Sequence, residues 1–178
     1  MLRKLREPKI WAKQPGVVTI GCIREFMPSD SEASISVYFA NEVEEILSIA
    51  TALAVSREGD ISRSAVVGVD LELMTDIGIK FDPSKGDTGV ELIDVAHRNL
   101  KYSDYNDVGK VASAFLSGEF YSFEAVEIRA EFERMVGLGI YDFAELSKNR
   151  KRSPSKNVIE SMVEMLSIKK MVVQLAQP

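Results

Sequence analysis

Residues Ser34 to Thr75, SISVYFANEVEEILSIATALAVSREGDISRSAVVGVDLELMT, fall into three pieces with different hydrophobic periods, and the reading of the third decides the fold. In the first, Ile35, Val37 and Phe39 alternate with Ser34, Ser36 and Tyr38, the period-2 pattern of a short strand with one apolar and one polar face. Asn41 then offers a helix N-cap with Glu44 three residues on. Val43, Ile46, Leu47, Ala50, Leu53 and Ala54 follow at helical spacing as far as Gly59. The third piece carries two patterns at once. Asp60 or Ser62 is placed to cap a helix with the stripe Val66, Val69, Leu73 and Ile77, ended by Gly78. Val67, Val69, Leu71 and Leu73 also alternate with Gly68, Asp70 and Glu72, as they would in a strand. Cap, longer period and terminal glycine agree with one another, so helix is the preferred reading.

A strand, a turn, a helix, a Gly-containing turn and a second helix opening on Ser62-Arg63-Ser64 resembles the ribbon-helix-helix family of DNA-binding proteins, over about a quarter of the chain. The resemblance implies a dimer in which two strands, one per chain, form an antiparallel ribbon that enters the DNA major groove. It places Ile35, Val37 and Phe39 toward the core and Ser34, Ser36 and Tyr38 toward base edges. It also assigns a DNA phosphate to the helix end at Ser62, Arg63 and Ser64, where unpaired backbone N–H groups and the helix dipole favour an anion.

The composition, 46% apolar and 28% charged over 178 residues, is that of an ordinary globular protein with one sizeable core or two small ones. It argues against disorder, and no apolar run is long enough to span a bilayer. The single Cys22 excludes an internal disulfide framework and a cysteine zinc site, so a reducing cytoplasm is expected.

The net charge of -5 is unevenly distributed. Residues 1–33 carry +2, 34–82 carry -6, 83–146 carry -6 and 147–178 carry +5, so a phosphate-binding surface has to come from the two ends. At the first end Arg3, Lys4 and Arg6, with Lys9 and Lys13, form a basic arm that would lie along the DNA backbone or remain a solvated terminus. Val17 to Phe26 reads as an extra strand after the Pro15-Gly16 break.

Asp82 to Asp87, DPSKGD, reads as a linker, and helical patterns dominate beyond it. One runs through Val90, Ile93, Val95, Ala96 and Leu100. Another starts at Asp104 or Asn106 and ends at Ser117-Gly118. A third is capped by Ser122, with Val126, Ala130, Met135 and Val136 inside and Glu124, Glu127, Glu131 and Glu133 outside. The basic stretch Lys148 to Lys156, KNRKRSPSK, leads to a last helix, Asn157 to Gln174, with a wide stripe that includes Val158, Met162, Met165, Leu166 and Val172. The fold class expected is mainly α with a short β ribbon. It comprises a basic arm and extra strand over 1–33, a ribbon-helix-helix-like domain over 34–81 and a helical domain over 82–178.

Catalytic patterns are weak. His97 is the only histidine and reads as structural, no Gly-rich phosphate loop is present, and Asp70, Glu72 and Asp76 read as a solvated helix face rather than a cation site. The expectation is therefore no enzyme, no cofactor and no metal. Two functions follow. One is a dimeric or higher-order DNA-binding regulator or DNA-organising factor with double-stranded DNA as partner and no membrane. The other is a helical interaction or assembly protein whose acidic middle rejects nucleic acid and whose C-terminal helices meet a protein partner.

Overall fold

In the computed structural model, which describes residues 1–5, 20–28, 34–58 and 63–141, six antiparallel strands form one sheet. The strands are β1 (Leu2–Lys4), β2 (Ser34–Tyr38), β3 (Arg63–Gly68), β4 (Lys80–Pro83), β5 (His97–Lys101) and β6 (Glu119–Glu124), in the spatial order β4-β5-β2-β1-β3-β6. The helices are α1 (Ile20–Glu25), α2 (Val43–Leu53), α3 (Leu71–Asp76), α4 (Glu91–Val95), α5 (Tyr105–Leu116) and α6 (Ala125–Gly137). α2 runs on into a wider π-helical turn, Ala54–Glu58.

Helices cover both faces of the sheet. On one face Leu2, Tyr38 and Val66 meet Ile46, Ile49 and Leu53 of α2 and Ile128, Phe132 and Met135 of α6. On the other face Ile35, Val37, Val67 and Leu100 meet Val108, Val111 and Phe115 of α5, with Phe26 and Met74 completing the core. Phe26 stacks on Phe115 with ring centroids 4.8 Å apart. Each fully buried aromatic of this kind contributes roughly 2–3 kcal/mol by leaving water.

The helix starts have local causes. The Asp104 carboxylate accepts from the backbone N–H groups of Asn106 and Asp107 at 2.8 and 3.1 Å, which satisfies two of the donors at the start of α5. Ahead of α6, the Glu124 N–H donates to the Glu127 carboxylate at 2.9 Å. Gly118 joins α5 to β6 where a side chain has no room: a Cβ there would lie 1.9 Å from the Gly68 carbonyl oxygen.

The expectation of a mainly α chain with a short ribbon is corrected by this sheet. β2 lies where its alternation placed it, but β1 and β5 occupy both its edges, with Leu2 opposite Tyr38 and Ile35 opposite Leu100. The ribbon pairing with a second chain is therefore made within one chain. The third piece of the opening stretch forms β3 and the short α3 instead of one long helix. Its proposed stripe does not lie on one side, since Val66 faces α2 and α6, Val69 belongs to the opposite core, and Leu73 is 38% exposed. Ala65, Val66 and Val67 are all buried because β3 lies between two strands and between two helical layers.

Residues 82–141 are likewise not all-helical, since they hold β5 and β6, and the expected linker Asp82 to Asp87 begins inside edge strand β4. Of the expected extra strand Val17 to Phe26, the described part forms α1 over Ile20–Glu25. The last helix, Asn157 to Gln174, and the basic stretch before it lie outside the described residues.

Candidate interaction groove

α2 and α6 cross on the same face of the sheet, and their contact is tied by one polar cluster. The Ser48 hydroxyl of α2 donates to the Glu131 carboxylate of α6 at 2.5 Å. Arg134, one turn further along α6, donates to both oxygens of Glu131 from Nε and Nη2, each at 2.7 Å. This is a bidentate ion pair with an 8% exposed carboxylate and a 52% exposed guanidinium. Burial, the largest influence on Glu131, opposes its ionisation. The hydrogen bonds from Arg134 and Ser48 outweigh burial and hold its carboxyl below the usual value.

Hollows flank this cluster on both sides. The first has a volume of about 550 Å³, a floor built from Ile49, Val90, Ile93 and Met135, and Phe39, Leu138 and Ile140 among its walls. At its rim Leu92, Val95 and Leu138 are 73%, 53% and 63% exposed, although each is large and apolar. Phe39 is fixed at the near wall by an edge contact to Phe81, 5.6 Å between centroids, and by the Arg98 guanidinium 5.2 Å above its ring. The second hollow, about 620 Å³, is lined by Val43, Leu47, Tyr121 and Phe123 with Glu44 and Glu131. The two share Glu45, Ser48 and Arg134, so an apolar strip runs across α2 and α6 with one ion pair at its centre. Acidic side chains stand at the start of α2, where Glu42, Glu44 and Glu45 are exposed.

The residues expected to contact DNA are distributed differently. Tyr38 is 2% exposed and lies edge-on to His97, with centroids 5.0 Å apart, so it belongs to the core. Ser34 and Ser36 are half-buried within the sheet, opposite Lys101 and Asn99. Ser64 is buried and its hydroxyl donates to the Ala50 carbonyl at 3.1 Å. Arg63 opens β3 opposite Glu124, so no helix end stands there. Arg3 is 7% exposed and donates to the Ser36 carbonyl at 2.7 Å, which brings the expected arm and ribbon together inside the fold. Lys4 continues β1, while Ser62 and Arg6 lie outside the described residues.

His97 is buried at the start of β5, with Nδ1 3.0 Å from the Ser84 carbonyl oxygen. Among the described residues no three of His, Cys, Asp and Glu converge as a metal ion would require, and no helix is long and apolar enough to cross a membrane. Comparison of the chain with protein-family models, curated proteins and solved structures found no match.

The groove has no pattern of its own in the sequence, and the helical period places Glu131 on the solvated side of α6. Two local signals were present. Ser48 interrupts the apolar spacing of α2, and Glu131 precedes Arg134 at an i, i+3 spacing suited to an ion pair. The exposed Leu92 had no such signal, because its burial is decided by elements distant in sequence.

Proposed function

We propose that this chain is a protein-interaction module that receives an amphipathic helix in the groove between α2, α4 and the end of α6. The observation that carries this reading is the exposure of Leu92, Val95 and Leu138 around a concave, apolar floor. Helix-in-groove recognition uses such a surface, with apolar anchors at i, i+3 or i+4 and i+7 entering the hollow and a polar group fixing register. Arg134 supplies the polar group. The acidic net charge of residues 34–146 supports a protein partner over nucleic acid, and ribbon insertion into DNA has no free strand in β2 to use. The lone cysteine accords with a cytoplasmic setting.

The test is selection of peptides from a displayed amphipathic library against the full chain and against L92E/V95E. Both substituted positions are exposed, so the fold is expected to survive. The expected winners share the helical anchor spacing and lose at least about tenfold in affinity for the double variant, roughly the loss of one buried apolar anchor. Winners without that spacing, or with equal affinity for both proteins, refute the reading. Titration of pooled random DNA duplexes at low salt is the companion measurement, and tight, salt-dependent binding there would restore the nucleic-acid alternative.

A further inference from the structure

We infer that the β6 edge of the six-stranded sheet takes an extended peptide as a further strand, one whose uncharged centre is flanked by basic residues. The groove plays no part in this inference, since its first hollow contains no β6 residue.

The two edges of the sheet differ. β4 spans four residues, ends in Pro83 and holds Asp82 in an ion pair with Lys101 of β5, features that discourage a further strand. β6 spans six residues, and its centre, Phe120-Tyr121-Ser122-Phe123, carries neither proline nor charge. Among the described residues no strand lies beyond it.

The direction of its backbone groups follows from β3. The Ala65 carbonyl accepts from the Leu5 N–H at 3.1 Å, and the Val69 N–H donates to the Met1 carbonyl at 2.9 Å, so alternate residues from Ala65 to Val69 turn toward β1. Ser64, Val66 and Gly68 therefore turn toward β6, where they pair with Phe123, Tyr121 and Glu119. Phe120 and Ser122 direct their N–H and C=O groups away from the sheet, while the Glu124 N–H is taken by the Glu127 carboxylate. Two donors and two acceptors thus stand in line at ladder spacing, the arrangement that strand addition uses.

Side chains and charge define the occupant. Phe120 is 44% exposed on one face of the edge. Tyr121 and Phe123 are half-buried on the other, where they line the second hollow. Residues of an added strand that stand beside these three gain apolar contact on both faces. Exposed acids flank the strand, Glu119 with Asp70 on a shared hollow at one end and Glu124 with Glu127 at the other. A second copy paired antiparallel through β6 would bring Glu119 against the copy's Glu124 at each end, and like charges directly opposite are unfavourable. Lysine or arginine at those two positions reverses the sign. The occupant is therefore an antiparallel strand with the pattern basic, apolar, any, apolar, apolar, basic.

The probes are the end-blocked peptide KVTVVK and its counterpart EVTVVE, each with a fluorophore, and the full chain is isotope-labelled for amide exchange. In the chain alone, the Tyr121 and Phe123 amides are expected to exchange slowly and those of Phe120 and Ser122 rapidly. Under saturating KVTVVK the latter two are expected to slow at least about tenfold. By anisotropy EVTVVE is expected to bind at least about fivefold more weakly, with the gap closing to within about twofold in E119Q/E124Q and unchanged in L92E/V95E. Slow Tyr121 and Phe123 amides verify the edge in E119Q/E124Q, and the exchange result on the natural chain decides the inference should that variant unfold. Phe120 and Ser122 amides that are slow without peptide overturn it: slowing that grows with concentration assigns the edge to a second copy, and slowing independent of concentration assigns it to the chain itself. Equal affinity for the two peptides, binding without slowing at Phe120 and Ser122, or no binding at about 1 mM also overturns it. Loss of KVTVVK binding in L92E/V95E would place the peptide in the groove, which overturns the inference and leaves the groove as a docking site.

Discussion

Replacing Arg134 with alanine removes two hydrogen bonds of 2.7 Å from Glu131 and leaves an 8% exposed carboxylate with only the Ser48 hydroxyl of the polar cluster. Breaking one side of a fully buried ion pair costs about 3–5 kcal/mol. Here the Arg134 side chain is 52% exposed, and water screens the pair. The expected loss at neutral pH therefore falls to roughly 1–2 kcal/mol.

The pH dependence is the sharper readout, because its sign reverses. In the natural chain burial opposes ionisation of Glu131, but the bonds from Arg134 and Ser48 prevail and depress its pKa. A carboxyl with a depressed folded pKa contributes stability above its unfolded value of about 4.3, and loses it as pH falls through the folded value. Without Arg134 burial becomes the stronger influence, so the folded value rises above the unfolded one. Stability from this group then declines as pH climbs past about 4.3. Urea unfolding between about pH 3 and 7 for the natural chain, R134A, E131Q and the double variant separates these cases. In the E131Q background nothing titrates at this site, and R134A is expected to cost little. An R134A protein within about 0.3 kcal/mol of the natural chain at neutral pH, or one with a parallel pH profile, refutes the reasoning.

Gly118→Ala forces a Cβ against the Gly68 carbonyl and is expected to destabilise by about 1–3 kcal/mol in thermal unfolding. Gly137→Ala, where a Cβ meets nothing within 4 Å, is expected to stabilise by up to about 1 kcal/mol; equal effects of the two would contradict the packing at the α5–β6 turn. Tyr121, whose hydroxyl donates to Glu119, has its phenol pushed up to about 12 by that bond first and by burial second. Ultraviolet titration is expected to show this late phenol in the natural chain and a lower midpoint in E119Q, and an unchanged midpoint would remove the bond from the account. Val37→Asp places a charge at a fully buried position beneath α5 and is expected to abolish cooperative unfolding. Ser36→Ala is expected to change stability by less than about 0.5 kcal/mol, because the Arg3 bond is to the Ser36 carbonyl and survives the substitution; circular dichroism melts check both.

The elements legible in the sequence are those whose signal is local. β2 has an alternating pattern of its own, α2 a continuous apolar period, and α5 a capping aspartate at one end with Ser117-Gly118 at the other. β3 fails because an interior strand buried on both faces loses its alternation, so that Ala65-Val66-Val67 supplies residues to any period imposed on it. β5 fails for a different reason. His97-Arg98-Asn99-Leu100-Lys101 has one large aliphatic side chain and little strand propensity, and it is extended because β2 and β4 pair with it on either side. In β6 the hydroxyl of Ser122 resembles a helix cap, yet Ser122 pairs with Ala65 in the ladder and α6 begins three residues later.

The groove was less legible still. Its exposed rim combines α4 with the end of α6, and Glu131 is buried through a bond to Ser48, 83 residues away. A charged residue on an amphipathic helix is ordinarily solvated, and no local pattern distinguishes the one that a distant hydroxyl holds inside.

Placing that ion pair at the centre of an apolar strip has a consequence for recognition. Any helix seated across both hollows covers Arg134 and takes its half-exposed guanidinium out of water, which turns a surface pair of small value into a buried one. Two of the five guanidinium N–H groups are committed to Glu131 and a third donates to the Ser48 hydroxyl oxygen at 3.4 Å, so an occupant that is wholly apolar leaves the other two without acceptors and loses part of what its stripe contributes. A partner that brings a carbonyl, hydroxyl or carboxylate to that point keeps both contributions. The apolar floor thus supplies affinity for many helices, while Arg134 discriminates by register among those of similar hydrophobicity. For the selected peptides this requires a polar residue at a constant offset from the anchors, and R134M, which keeps the apolar stem but removes the donors, is expected to relax that preference while retaining binding. Affinity lost equally for all peptides on that substitution would mean that Arg134 holds α6 in place and takes no part in choosing the partner.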